Sequence, residues 1–186
     1  MDGTVWEKYS GPEGAGLSVP RGINFDPATG FIYAGDMDHH RIAKTKIDGT
    51  GWTTYGSWGE GVGQFKHPTN IHYDEVSGFV YVSDFYNLRI VRFKMDGGPA
   101  EWQALDTSAY NGRNGPMFVV DDGTNSVYTA DWANNSIIKL NMDGTVEDTF
   151  LLDDWPGSPE FASPVHYDNE DDTLFITDSR NIYHCT

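Results

Sequence analysis

Cysteine is nearly absent: Cys185 stands alone among 186 residues, so no disulfide can form within the chain. Basic residues are scarce. Lys and Arg number 12 against 28 Asp and Glu, a formal net charge of −16 that repels a phosphate backbone and argues against nucleic-acid binding. No apolar run approaches the ~18 residues of a membrane span. The start of the chain carries no basic segment followed by an apolar one, so a secretory signal, if the protein is secreted, is expected to have been removed already. Long stretches of helical periodicity are also missing. With 38% hydrophobic and 22% charged residues, the chain still has enough apolar side chains to bury a core.

What is present is strand-like and repetitive. There are 21 Gly, 10 Tyr and 10 Phe, and turn residues punctuate short alternating segments. Four segments share one pattern: GFIYAGD (30–36), GFVYVSD (78–84), NSVYTAD (125–131) and DTLFITD (172–178). Their closing aspartates, Asp36, Asp84, Asp131 and Asp178, are 48, 47 and 47 residues apart. A strand ending in Asp precedes each: PRGINFD (20–26), PTNIHYD (68–74), GPMFVVD (115–121) and SPVHYD (163–168). A third strand follows each, as RIAKTKIDG, RIVRFKMDG, SIIKLNMDG and finally NIYHCT, and a fourth follows the DG turn. A period of ~40–50 residues with four strands per unit marks a propeller blade. The expected fold is therefore all-β: one propeller domain over residues 1–186, with four blades of four antiparallel strands. Blade 1 covers about 18–57, blade 2 about 66–105, blade 3 about 114–151, and the inner strands of blade 4 about 162–186.

The string MDGTV opens the chain and returns at 142–146, after a third strand. The last repeat stops at Thr186, before its MDG, and residues 1–3 supply one. Residues 1–10 are thus expected to form the outer strand of blade 4, closing the ring. The same pairing between chains would make a strand-exchanged homo-oligomer or fibre.

The segment at 56–97 runs through a Gly-rich lead, F-x-x-P, an inner strand and then V-Y-V-x-D-x-x-N-x-R-I. It resembles an NHL repeat, and IYAGDMDHHRIAKTKIDGTG (32–51) is similar to the related YWTD repeats of lipoprotein-receptor ectodomains. That resemblance covers the whole chain. It implies a propeller, a binding module or, with different residues, a lyase or lactonase, and it favours an extracellular setting. Members usually close six blades, whereas this chain supplies four.

Candidate chemistry is thin. Aligned on their terminal Asp, the inner strands present the column Asn24, His72, Val119, His166, on the face opposite the apolar residues Ile23, Phe25, Ile71, Tyr73, Phe118, Val120, Val165 and Tyr167. Asn24, His72 and His166 could hold a divalent cation such as zinc in the channel. Val119 fills the third slot, where a lyase-type site would want another histidine. The acidic turns DDGTN (121–125) and DNEDD (168–172) are candidate calcium loops, although neither has EF-hand spacing and strand-ending Asp residues usually cap their own turns. No cofactor is required by these patterns. The recurrent D-x-x-N/H-x-R turn (Asp36, His39, Arg41; Asp84, Asn87, Arg89) reads as structural because it repeats. Trp58, Trp132 and Trp155 fall in loops, where indoles contact protein or carbohydrate. The expected function is a non-catalytic propeller that binds or self-assembles through its loop faces. The alternative is a small metal-dependent enzyme of the lyase or lactonase type, working at the channel.

Overall fold

The structure is a computed structural model, and it describes residues 8–9, 11–14, 16–111, 116–155 and 163–186. Blade 1 comprises β1 (Pro20–Asp26), β2 (Phe31–Asp36), β3 (Arg41–Lys46) and β4 (Thr53–Tyr55). A small parallel pair, β5 (Ser57–Trp58) and β6 (Gln64–Phe65), leads into blade 2. Blade 2 holds β7 (Pro68–Tyr73), β8 (Val80–Asp84), β9 (Arg89–Phe93) and β10 (Gln103–Asp106), followed by a single helical turn, α1 (Ser108–Asn111). Blade 3 holds β11 (Phe118–Asp121), β12 (Ser126–Asp131), β13 (Ser136–Leu140) and β14 (Val146–Leu151). Blade 4 holds β15 (Ser163–Asp168), β16 (Thr173–Thr177) and β17 (Ile182–Cys185). Within each blade, strands pair with their sequence neighbours in antiparallel meanders. Blades 1, 2 and 3 have four strands, and blade 4 has three among the described residues. The outer strand expected from residues 1–10 lies, apart from Lys8 and Tyr9, outside the described residues.

The sequence pattern explains the layering. β8 and β12 sit mid-blade with a blade packed on each face, so every residue in them is buried, and they read as continuous apolar runs. Their flanking strands alternate. Position by position, Val80 and Val82 pack back onto blade 1, while Phe79 and Tyr81 pack forward onto blade 3. The result is three apolar clusters, one at each junction between successive blades. Among the described residues no such cluster joins blade 4 to blade 1. On the outer face of blade 1, Ile23 is 70% and Phe25 56% exposed.

Gly22 marks the tightest approach between blades. Its φ is +58°, at a bulge between Arg21 and Ile23, and a Cβ there would lie 2.1 Å from the Thr69 carbonyl oxygen. Only glycine combines that backbone with that proximity.

The strand-ending aspartates are structural, as their recurrence suggested. Asp84 is fully buried. Its carboxylate accepts from the Lys66 amide at 2.6 Å, Asn87 Nδ2 at 2.7 Å and Arg89 Nε at 2.8 Å. Asp36 repeats this with the Ser18 amide and Arg41 Nε, both at 2.7 Å, and with His39. The inner-strand aspartates cap their hairpins instead: Asp26, Asp74 and Asp121 each accept from the amides two and three residues on and from a Thr or Ser hydroxyl.

Candidate binding sites

All four members of the inner-strand column line one cavity of about 590 Å³. Asn24, His72, Val119 and His166 share it with Asn70, Asp122 and Asn169. They meet there because each inner strand turns its apolar alternate toward the preceding blade, which points the column forward and inward. Asn70 donates from Nδ2 to the Phe118 carbonyl at 2.7 Å and so ties blade 2 to blade 3. His72 Nε2 lies 2.9 Å from Asp122 Oδ1, also across that junction. Both side chains are about a third exposed, so the pair contributes at most about 1 kcal/mol. His166 is exposed, with its ring 5.9 Å from that of Phe175, which is in turn 6.1 Å from His184. Val119 turns into the packing between blades 3 and 4. Among the described residues no group of three or more His, Cys, Asp or Glu side chains is arranged to hold a metal ion.

The acidic turns are occupied by their own chain. In the first, Asp121 accepts from Gly123 and Thr124 and pairs with Lys139 Nζ at 2.8 Å. Burial pushes the Asp121 pKa up, but Lys139 and Thr124 outweigh it and hold the group below the usual aspartate value. In the second, Asp168 accepts from the Glu170 amide, and the Tyr167 hydroxyl donates to Asp172.

A second site forms above blades 1 and 2, where Trp58 and Tyr86 are 64% and 62% exposed. Lys66 connects them: its ammonium lies 5.3 Å from the centroid of the Trp58 ring and pairs with Glu60, while its carbonyl accepts from the Tyr86 amide. His67 stands edge-on to Tyr86 at 4.8 Å and to His40 at 4.7 Å. Burial, followed by the neighbouring His67, lowers the His40 pKa, which favours its neutral ring. Beside Tyr86 a groove of about 540 Å³ runs past Glu60, Arg89 and Asp106. The three tryptophans therefore part company, and Trp58 lies in β5 rather than in a loop. Trp58 presents its indole to solvent, whereas Trp132 and Trp155 are half-buried against the core between blades 3 and 4, with Trp155 edge-on to Tyr183 at 6.4 Å.

Sequence reasoning named Asp122 only as part of the acidic turn 121–125, and singled out neither Tyr86 nor His67. Asp122 merely follows a strand-ending aspartate, and its partner is 50 residues away. Tyr86 sits inside the D-x-x-N-x-R turn, and an aromatic residue at a turn position was the available signal.

No protein-family model and no curated protein sequence matches the chain. Solved structures do. A streptogramin B lyase is similar over 90% of this chain and 51% of its own, at 16% identity with a TM-score of 0.62. A catalytically inactive virginiamycin B lyase from Staphylococcus aureus, with quinupristin, is similar over 90% and 55%, at 17% identity and a TM-score of 0.54. A chain of a nidogen/laminin complex is 26% identical, covers 73% of this chain and 48% of its own, and has a TM-score of 0.53. The chain thus spans about half the length of the solved structures it matches, and its fold is a β-propeller of the NHL and YWTD type.

Proposed function

We propose that the chain is a non-catalytic propeller module that binds a protein partner through the aromatic surface around Trp58 and Tyr86. The carrying observation is the pair of large aromatic side chains, each more than 60% exposed and bridged by Lys66, beside an open groove. Exposed Trp and Tyr set in a polar rim are the side chains from which interface hot spots are built. The 26% identity to a chain of a nidogen/laminin complex supports a protein rather than a carbohydrate as partner. The two lyases are 16% and 17% identical and support the fold alone.

The channel is non-catalytic in this reading. Val119 interrupts the column, and His72 is engaged by Asp122. Metal analysis of the purified chain bears on the alternative: stoichiometric zinc or manganese, lost in a His72→Ala/His166→Ala variant, would establish a channel centre.

The surface is tested by selecting displayed peptides on the immobilised chain. Selected peptides should lose at least tenfold in affinity on a Trp58→Ala/Tyr86→Ala variant and keep their affinity for His166→Ala. Peptides insensitive to the double variant would place binding elsewhere and sink the proposal.

A further inference from the structure

Every blade carries the same two faces. One aromatic column lies mid-strand: Tyr33, Tyr81 and Tyr128 pack toward the following blade, and Phe175 holds the same register position in blade 4. On the inner strands Tyr73, Val120 and Tyr167 pack toward the preceding blade, and Phe25 holds the same register position in blade 1. At each internal junction the two meet. Tyr33 stacks on Tyr73 at 4.5 Å, Tyr81 shares a cluster with Val120, and Tyr128 packs on Tyr167 at 5.0 Å. One pair in the cycle is left unmade: Phe175, partly exposed, and Phe25, 56% exposed. Their neighbours Ile182 and Ile23 are 78% and 70% exposed.

The open face of blade 1 is already shaped as a junction. A groove of about 420 Å³ runs along it, lined by Leu17, Ile23, Ile32 and Trp52. Tyr9 stands edge-on to Trp52 at 6.2 Å, as Tyr55 of blade 1 lies 6.3 Å from Trp102 of blade 2. Tyr9 follows Asp2 by seven residues, and Tyr55 follows Asp48 by seven. Tyr9 therefore sits against blade 1 at the sequence position, relative to its DG turn, from which Tyr55 meets blade 2.

We propose that a second copy of this chain completes the cycle. Two copies pack head to tail, so that Phe175 of each stacks on Phe25 of the other and eight blades close a ring. The register supports this occupant: the two open faces of one chain hold the same positions as the two halves of the junction that recurs between its own blades, and the chain covers only 51% and 55% of the chains of two solved propellers. A ring of two copies makes both junctions at once, and the second forms within an already joined pair, which stops growth at two.

The test is mass in solution by analytical ultracentrifugation across the micromolar range. A chain of 20.7 kDa should run at twice that, 41.4 kDa. Phe25→Asp alone and Phe175→Asp alone should each reduce the mass to 20.7 kDa and leave the far-ultraviolet spectrum unchanged, since both side chains are at least partly exposed in the single chain. An equimolar mixture of the two variants keeps one intact junction and should recover a dimer that dissociates at higher concentration than the unmodified one. An unmodified chain at 20.7 kDa, an open series of larger species, a dimer indifferent to Phe175→Asp, or a mixture that stays monomeric would each overturn the proposal.

Discussion

Removing the Asp84 carboxylate should cost more than the same change at Asp131, which closes the corresponding turn of blade 3. Asp84→Ala deletes the acceptor for three donors: the Lys66 amide, Asn87 Nδ2 and Arg89 Nε. Arg89 stays where it is, because its terminal nitrogens also donate to the carbonyls of Glu60 at 2.6 Å and Gln64 at 2.8 Å. Its charge is then left largely buried, opposed only by the exposed Glu60 carboxylate nearby. Breaking a buried ion pair from one side costs about 3–5 kcal/mol. Asp131 closes the same turn in blade 3, but Ser136 stands where Arg89 stands in blade 2. Asp131→Ala therefore strands amide donors and no cation, for about 1–3 kcal/mol. Urea melts at neutral pH, followed by tryptophan fluorescence, measure both. The ordering is the prediction: Asp84→Ala worse than Asp131→Ala by at least about 1 kcal/mol. Equal losses would show that the arginine adds nothing and that the amide bonds alone hold the turn. Protonation gives an independent check. Burial raises the Asp84 pKa, with the hydrogen bonds from Asn87, Lys66 and Arg89 opposing it. A raised folded-state pKa contributes stability that is complete below the unfolded value, about 3.9, and is lost as pH climbs through the folded value. Asp84→Asn abolishes that linkage, so its deficit relative to the unmodified chain should widen toward acid pH.

Asp121 has the opposite sign. Its folded pKa is lowered, so its contribution is present above about 3.9 and is lost as pH falls through the folded value. In Lys139→Met the Asp121 pKa should rise, read by carboxyl-carbon NMR titration, and an unchanged titration would remove Lys139 as a cause. Trp58→Ala should leave the melting temperature within about 2 °C, since the indole is exposed, while Trp155→Ala should lower it by about 4–8 °C through lost packing on Tyr183 and the core between blades 3 and 4. Equal calorimetric shifts for the two tryptophans would contradict their different burial.

The sequence alone determined the unit. Its period, the four strands per blade, the alternation within strands and the aspartate-capped turns are all set by contacts between residues a few positions apart, and these leave a local signature: Asp36 and Asp84 each bond the side chains three and five positions on. The sequence also placed Asn24, His72, Val119 and His166 in one column, because strand pleating fixes which side chains share a face. Tertiary structure decided how the units meet. His72 finds Asp122 50 residues away, Trp132 and Trp155 fold into a core that loop position does not announce, and Phe25 and Phe175 are left apart. Those outcomes depend on the angle between neighbouring blades, which accumulates from the twist of every strand and the packing at each junction. No short stretch of sequence encodes that angle, so the closure of the ring is not legible one repeat at a time.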